Sequence, residues 1–152
     1  GDANNVALSL ALACASVGAC FHIASPDGYG FDAEARRNVE RRYKNAGAEM
    51  LMITKDPVLA ATEADVVYTD VWTSMGQEKA SEVRRRDFQG YTVNPEIMAL
   101  AAQGAIFMHD MPAHYGEEVS EGMLDHPQSV AYDQAENRLH AQKAALEFVM
   151  VG

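Results

Sequence analysis

The sequence has little cysteine and no long apolar run. Its 152 residues include only Cys14 and Cys20, one inside a helical pattern and one at the start of a strand pattern. This placement is typical of small buried side chains in a reducing compartment and not of a disulfide framework. No apolar run approaches the ~18 residues of a membrane span, and the first residues lack a basic region followed by an apolar signal core. We therefore expect a soluble, cytoplasmic protein with no membrane partner.

Positive charge is scarce as well. Lys and Arg number 12 against 22 Asp and Glu, so the formal net charge is -10 and the isoelectric point is near 4.8. A chain this acidic repels a phosphate backbone, and its basic cluster at residues 84–86 is short. We expect no nucleic-acid partner. The negative field is compatible with a cationic small molecule, or with solubility alone.

The chain does contain enough apolar material for one core. Hydrophobic residues make up 48% of the sequence, and a single domain of this size buries roughly 70% of the surface that its unfolded chain exposes. The sequence shows no internal repeat, low-complexity tract or linker, so we place one domain over residues 1–152.

Strand and helix patterns alternate along this domain. Short apolar and β-branched runs typical of buried strands occupy residues 20–24, 50–53, 65–69, 105–108 and 129–132. Helical patterns cover residues 6–17, 33–46, 58–63, 78–86 and 95–104, and a last helix ends near residue 150. No hairpin signal joins successive strands, which favours crossover connections and a parallel sheet covered on both faces. The pattern predicts a Rossmann-like three-layer αβα sandwich of the α/β class.

Polar segments follow the predicted strands. The carboxyl ends of parallel strands share one edge of the sheet, where ligands collect. Four segments meet there: the first loop (residues 2–5), the Asp70 loop (residues 70–77), the His109 loop (residues 109–114) and residues 133–138. Their side chains suit a zwitterionic or phosphorylated ligand, and the candidates are Asn5, Asp70, Ser74, His109, Asp110 and Arg138. The Asp70 loop also holds the only tryptophan, Trp72, which either lines this site or covers the core.

Three of these candidates allow a second interpretation. Asp70 suits an ammonium group, the amide of Asn5 suits a carboxylate or an amino group, and Arg138 suits an anion. Alternatively, Asn5 and Asp70 cap helices. Arg138 would then pair with Glu136 or Glu147 on a solvated helix face.

A metal site is a further hypothesis for the His109 loop. Imidazoles and carboxylates stand within ten residues at His109, Asp110, His114, Glu117 and Glu118. Pro112 intervenes and a second ligand pair at metal spacing is missing, so the sequence favours a structural or orienting histidine and no metal. The first loop also lacks the second and third glycines of a dinucleotide fingerprint.

Four motifs of this chain resemble those of the ornithine carbamoyltransferases. They are Gly-Asp-Ala-Asn-Asn at residues 1–5, Asp-Val-Trp-Thr-Ser-Met-Gly-Gln-Glu at 70–78, Phe-Met-His-Asp-Met-Pro at 107–112 and Ala-Glu-Asn-Arg at 135–138. Ser-Met-Gly in the second motif marks ornithine enzymes within the wider transcarbamylase family. The resemblance covers essentially the whole chain, but only the second, ornithine-binding half of the family's protein.

The resemblance implies an activity and a set of partners. The family transfers a carbamoyl group from carbamoyl phosphate to the side-chain amine of L-ornithine, giving citrulline and phosphate in arginine metabolism. It uses no metal and no organic cofactor, and its full-length proteins form homotrimers largely through the other half. By position, the amino and carboxylate ends of ornithine would be held by Asn5, Asp70, Ser74 and Met75.

The same resemblance implies the reacting end of the site. Arg138 would help bind carbamoyl phosphate, and the backbone at Asp110 and Met111 would touch the carbamoyl group and the attacking amine. The implied catalytic residues are His109, Asp110 and Arg138.

The His109 loop departs from the family pattern. The family's sequence is usually His-Cys-Leu-Pro, and here it is His-Asp-Met-Pro, so Asp110 replaces a cysteine. A carboxylate at that position would hold the acceptor's amine as an ammonium ion, which is not nucleophilic, or would serve as a base. We therefore expect either slow transfer, a base at Asp110, or a changed acceptor. Ala3 and Tyr115 also differ from the family's usual residues, with little expected consequence.

The chain is also shorter than the family's protein. The carbamoyl-phosphate half, with its Ser-Thr-Arg-Thr loop and His-Pro-x-Gln segment, is absent, as is the strand that leads into Gly1 in the family. We expect a fragment that is inactive alone. Two further hypotheses are a non-catalytic amino-acid-binding module and a metal-dependent hydrolase.

Overall fold

The computed structural model describes residues 1–45, 50–74, 76 and 78–151. The elements in chain order are α1 (Asn5–Val17), β1 (Phe21–Ala24), α2 (Ala33–Asn45), β2 (Leu51–Thr54), α3 (Pro57–Ala61), β3 (Val66–Thr69), α4 (Ser81–Asp87), α5 (Pro95–Met98), β4 (Ile106–His109) and α6 (Ala131–Val151). Short 3-10 turns precede α4 at Glu78–Ala80 and α6 at Met123–Asp125. Strands and helices alternate as the sequence pattern predicts.

The strands pair in parallel. β1 pairs with β2, with Phe21 opposite Leu51, and β3 pairs with β4, with Val66 opposite Ile106. In the part of the chain that the structure describes, these two pairs are separate sheets. The predicted parallel strands with crossover helices are confirmed.

Local sequence signals explain where several helices begin and end. The side chain of Asn4 accepts two backbone hydrogen bonds from the first turn of α1, and Gly18 ends that helix with φ 74° and ψ 26°. This left-handed conformation suits glycine, which has no Cβ to clash. Asp56 and Asn94 cap α3 and α5 in the same way, each followed by a proline.

Two apolar clusters hold the elements together. The first lies between α1, α2 and β1 and consists of Ala11, Ala15, Phe21, Ile23, Val39 and Tyr43. The second surrounds β3 and β4 and consists of Val67, Val93, Met98, Ala105, Phe107, Val119, Met123, Leu124 and Ala131. Burial of apolar surface contributes about 25 cal/mol per Å², so these clusters supply the main stabilisation of each strand pair. Apolar packing therefore anchors both strand pairs.

Three predicted elements differ from the structure. The strand predicted at residues 129–132 is reduced to a single bridge between Ser129 and Phe107, and α6 already begins at Ala131. The predicted polar loop at residues 133–138 consequently lies inside α6. The helix predicted at residues 95–104 ends at Met98. The reason is the same in both regions: a short apolar run fits a strand or a buried helical turn, and only tertiary packing chooses between them.

The two cysteines also differ from each other. Cys14 is partly buried in α1, but Cys20 is exposed. The prediction that both are buried is therefore wrong for Cys20, because this residue lies in the turn that leads into β1 and not in the strand itself.

Helix α6 is the longest helix in the described residues, at 21 residues. Its side chains are mostly exposed, and the large apolar ones are Leu139, Leu146, Phe148, Val149, Met150 and Val151. Nevertheless, no helix in the described ranges combines the length and the apolar character needed to cross a membrane.

Candidate functional site

Asn4 joins the first loop to the Asp70 loop. Its Oδ1 caps α1, while its Nδ2 donates to Oδ2 of Asp70 over 2.6 Å. The other carboxylate oxygen of Asp70 accepts from the backbone N–H of Val71 over 2.6 Å. Asn5 is the first residue of α1 and is exposed. The cap that the sequence suggested for Asn5 is thus provided by Asn4, and Asp70 is held in place from two directions.

Asp110 stands beside Asp70 at the end of β4. Burial, followed by the negative charge of Asp70, raises the pKa of Asp110 to about 6. Oδ1 of Asp110 is buried and has no hydrogen-bond partner in the described residues. Burial and a nearby negative charge both disfavour the ionised form of a carboxyl group. The site therefore carries a carboxyl group, that of Asp110, whose charge changes near pH 6.

The raised pKa of Asp110 predicts a pH-dependent stability. The folded chain binds a proton here more tightly than the unfolded chain, whose pKa is near 3.8, so this group's stabilisation is complete below about pH 4. It is lost as the pH rises through about 6. Asp110→Asn mimics the protonated acid and should raise the free energy of unfolding by about 1 to 3 kcal/mol at pH 8, but hardly at pH 4. Urea denaturation of both proteins at the two pH values measures this difference.

A matched control is Asp65→Asn. Asp65 is an exposed carboxylate just before β3, and its replacement should change stability little at either pH. Equal effects of Asp110→Asn at pH 8 and pH 4 would contradict the raised pKa of Asp110.

His109 and Gln134 connect β4 to α6. His109 is fully buried, and its backbone N–H donates to Oε1 of Gln134 over 3.0 Å. Gln134 in turn donates to the hydroxyl of Tyr68 on β3 over 3.1 Å. Burial, followed by the negative charge of Asp110, raises the pKa of Tyr68 to about 12, so the hydroxyl stays protonated. Gln134 was not among the candidate residues, because residues 133–138 were predicted as a loop and not as the first turns of α6.

The remaining predicted site residues do not share one environment. Ser74 is partly buried in the Asp70 loop, and Arg138 is exposed on α6, where its charge reaches Tyr68 and opposes the rise in its pKa. Met111 adopts a left-handed backbone with φ 62°, and its peptide bond to the next proline is cis. Met75 lies outside the described residues.

Arg84 is a second residue that sequence reasoning missed. Its side chain is only 9% exposed, donates to the carbonyl of Trp72 over 2.6 Å and forms an ion pair with Asp2. Its guanidinium carbon lies 4.8 Å from the ring centroid of Tyr29 and 5.8 Å from that of Phe88. Arg84 therefore links the Asp70 loop, through the carbonyl of Trp72, to the first loop, through the carboxylate of Asp2.

Trp72 supports the same loop through its ring. It is 4% exposed and stacks on Phe88 with ring centroids 5.7 Å apart. The interpretation in which this tryptophan covers the core is thus confirmed.

Metal binding receives no support from these groups. Among the described residues, no three His, Cys, Asp or Glu side chains stand close enough to hold a metal ion. Where the sequence places imidazoles and carboxylates together, the structure shows a buried His109 beside Glu118, with His114 half exposed.

Fold and site together define a class of protein. Parallel strand pairs and crossover helices, with polar loops at the carboxyl ends of β3 and β4, make this a Rossmann-like α/β domain. Its residues 1–149 match the family model described as "Aspartate/ornithine carbamoyltransferase, Asp/Orn binding domain". The chain belongs to this family.

Individual relatives agree with this assignment. The chain is 48% identical to an ornithine carbamoyltransferase of Thermococcus kodakarensis over 152 residues, which are 100% of this chain and 48% of that protein. It is 51% identical to one from Methanopyrus kandleri over 150 residues, 99% of this chain and 48% of that protein. The solved ornithine carbamoyltransferase of Pyrococcus furiosus superposes with a TM-score of 0.92 at 47% identity, covering 100% of this chain and 48% of that one. The predicted Rossmann-like αβα fold is confirmed, and the chain spans about half the length of the relatives it matches.

Proposed function

We propose that this chain is the ornithine-binding half of an ornithine carbamoyltransferase. The whole protein would transfer the carbamoyl group of carbamoyl phosphate to the side-chain amine of L-ornithine, giving citrulline and phosphate for arginine metabolism. The observation that carries the proposal is the likeness of the whole of this chain to about half of each ornithine carbamoyltransferase, together with the carboxylates at the ends of β3 and β4.

The proposed roles follow from charge and position. Asp70 is held by Asn4 and would bind the ornithine α-ammonium, with Asn5, Ser74 and Met75 completing contacts to its amino and carboxylate ends. Arg138 would attract the anionic carbamoyl phosphate, although its exposed position leaves it dependent on the other half of the protein.

The reaction joins the amine nitrogen to the carbamoyl carbon. The carbon–oxygen bond to phosphate breaks, phosphate leaves with the bond's electrons, and the nitrogen loses a proton. The backbone at Asp110 and Met111 would position the two reactants, and a carboxylate of Asp110 would compete by holding the amine protonated. Positioning and charge, not a cofactor, carry this chemistry.

We also propose that the domain is completed by residues that precede Gly1. Gly1 donates to the carbonyl of Ala24 at the end of β1 over 2.6 Å, and Asn4 contacts Asp70 at the end of β3. Residues 1–4 thus run between the ends of two strands that belong to separate sheets. A strand leading into Gly1 would fit between β1 and β3 and would satisfy their edge N–H and C=O groups.

The other half of the protein would cover α6. A run of apolar side chains near its end is about 80% exposed, including Phe148 and Val151, which a domain interface would bury. For the full-length protein we propose a homotrimer in the cytoplasm, which sedimentation and fractionation of the native protein would test.

The purified chain should form no citrulline from ornithine and carbamoyl phosphate, because it lacks the half that would hold the second substrate. Adding the separately produced carbamoyl-phosphate half should restore citrulline formation, measured colorimetrically. Citrulline formation by the chain alone would refute the dependence on another half.

Calorimetry separates the enzyme from a simple binding protein. If ornithine binds only when carbamoyl phosphate and the other half are present, the enzyme is supported. Tight binding of ornithine by this chain alone, without citrulline formation in the combined protein, would support an amino-acid-binding module instead.

A further inference from the structure

The direction of the hydrogen bond between Gln134 and Tyr68 follows from a third group. The backbone N–H of His109 can only donate, and it donates to the side-chain oxygen Oε1 of Gln134 over 3.0 Å. The amide nitrogen Nε2 of Gln134 therefore faces the Tyr68 hydroxyl, 3.1 Å away, and an amide nitrogen only donates. Tyr68 accepts this hydrogen bond through its oxygen, which leaves its own proton for another acceptor.

The proton of the Tyr68 hydroxyl has no acceptor in the part of the chain that the structure describes. Within that part, the bond from Gln134 is the one hydrogen bond of this hydroxyl. Both carboxylate oxygens of Asp70 accept hydrogen bonds from other donors, and the buried Oδ1 of Asp110 has no partner. Burial, followed by the negative charge of Asp110, raises the pKa of Tyr68 to about 12, so the hydroxyl keeps the proton that it can donate.

Tyr68 lies at the candidate site and is half-buried there. It stands two residues before Asp70 on β3, and the charges of Asp70, Asp110 and Arg138 all act on the pKa of its hydroxyl. Arg138 follows Gln134 by four residues on α6, so these two side chains lie on the same face of the helix. The hydroxyl is therefore close to both carboxyl groups and to the arginine.

The groups around this hydroxyl differ in the ligand atoms that they suit. Asp70 and Asp110 supply carboxyl oxygens, which suit the ammonium groups of ornithine. The oxygens of carbamoyl phosphate need donors instead, and the donors here include the guanidinium group of Arg138 and the hydroxyl of Tyr68. A hydroxyl that donates beside Arg138 therefore fits the anionic substrate better than it fits the amino acid.

We propose that Tyr68 binds the anionic substrate and that Gln134 is the positioning residue that directs its proton. The Tyr68 hydroxyl donates to an oxygen of carbamoyl phosphate, and the amide of Gln134 keeps that proton turned away from α6. The choice of carbamoyl phosphate rests on the proposed function. The direction of the bond between the two side chains is a property of this chain alone.

Calorimetry of the protein completed by its other half measures the contact of Tyr68. Tyr68→Phe keeps the ring and removes the hydroxyl. It should raise the Kd for carbamoyl phosphate about tenfold to a hundredfold, the range for one lost hydrogen bond to a charged group. The KM for ornithine should change less than about threefold. An unchanged Kd for carbamoyl phosphate would overturn the proposal, and so would a larger effect on the KM for ornithine.

The matched control is Tyr43→Phe. The hydroxyl of Tyr43 donates to the carbonyl of Ala19 over 2.9 Å, just before β1 and thus at the amino end of the strands. Its removal also costs one hydrogen bond of a buried tyrosine, but the Kd for carbamoyl phosphate should stay unchanged. An equal rise of this Kd in both variants would mean that lost stability, and not a lost contact, weakens binding, and the proposal would fail.

A double-variant cycle tests the positioning role of Gln134. Gln134→Glu still accepts from the His109 backbone but cannot donate, so the Tyr68 hydroxyl should donate to the new carboxylate and be lost to the substrate. The Kd for carbamoyl phosphate should then rise at least as far as in Tyr68→Phe. In the Gln134→Glu background, Tyr68→Phe should have little further effect. Effects of the two changes that add in full would overturn the role of Gln134.

Nitrogen-15 NMR of the 152-residue chain tests the bond direction without substrate. The side-chain amide hydrogen of Gln134 that faces Tyr68 should be protected from solvent exchange. It should exchange about tenfold faster in Tyr68→Phe and at an unchanged rate in Tyr43→Phe. Free exchange of both side-chain amide hydrogens in the wild-type chain would contradict the proposed orientation.

Two outcomes for the completed wild-type protein distinguish this proposal from the proposed function. If that protein binds carbamoyl phosphate but forms no citrulline, the proposed function fails, and the Kd values still decide the role of Tyr68. If it does not bind carbamoyl phosphate, both fail.

Discussion

Replacing Arg84 with methionine is expected to lower the free energy of unfolding by about 3 to 5 kcal/mol, the usual cost of breaking a buried ion pair by removing one partner. The side chain is 9% exposed and that of its partner Asp2 is 15% exposed. Methionine fills much of the space but leaves the Asp2 carboxylate and the Trp72 carbonyl without their donor. The stacking of the guanidinium against Tyr29 and Phe88 is lost as well.

The two arginines that follow Arg84 provide controls, because replacing either of them removes the same positive charge. Arg85 and Arg86 lie on the same helix, with side chains 56% and 71% exposed in their ion pairs. Replacing either with methionine should cost less than about 1 kcal/mol, as for other surface pairs. Urea denaturation of the three single variants measures the difference. Equal losses for Arg84→Met and Arg85→Met would show that net charge, not the buried contact, stabilises this region.

The Arg84 variant should also loosen the site. Arg84 joins the carbonyl of Trp72 in the Asp70 loop to Asp2 in the first loop, so both loops lose a common anchor. Amide exchange in these two loops should accelerate more than exchange in β4, which Arg84 does not touch.

Replacing Asp110 with cysteine in the protein completed by its other half is expected to raise the turnover of ornithine about tenfold to a hundredfold at pH 7. A carboxylate beside the acceptor amine stabilises its ammonium form, and an opposite charge at close range raises an amine's pKa by about one to three units. Less of the bound ornithine is then in the neutral, nucleophilic form. A thiol at this position removes the negative charge of Asp110 and, with it, the repulsion between Asp110 and Asp70.

The rate at different pH values separates charge from other effects. If the carboxylate holds the amine protonated, the rate of the wild-type protein should rise with pH over a higher range than that of Asp110→Cys. Asp110→Asn, which is neutral and of similar shape, should behave like the cysteine variant. An unchanged or lower rate for Asp110→Cys would contradict this account, and a lower rate for both variants would identify Asp110 as a base.

The fold was largely predictable because its signals are local and repeated. The caps at Asp56 and Asn94, the glycine that ends α1 and the apolar runs of the first four strands each predict one element from a few neighbouring residues. Strands without hairpin signals between them then leave a parallel arrangement. One error falls at residues 95–104, where the predicted helix ends at Met98. The others fall at residues 129–138, where an apolar run and a polar run belong partly to one helix.

The site was predictable in outline and not in detail. The carboxyl edge of the strands identified the first loop, the Asp70 loop and the His109 loop, and the structure joins them through Asn4, Asp70 and Asp110. The sequence did not show which of two neighbouring asparagines caps α1. Asn5 was considered as the cap, and in the structure it is Asn4. Gln134, from the segment considered a fourth loop, bonds to His109 from inside α6. Neighbouring residues of a chain point their side chains in different directions, and only the folded backbone decides which of these side chains points inward.

By itself the sequence determined the α/β class, the family motifs and the presence of an aspartate in the His109 loop, because each of these depends on residue order alone. The tertiary structure decided the burial, the neighbours and the hydrogen bonds of those residues. It brought Asp110 against Asp70, buried Arg84 between two loops and set Glu118 against His109, contacts that join residues 40, 82 and 9 positions apart. Burial and distance set charge states and hydrogen-bond direction, and both are properties of the packed chain.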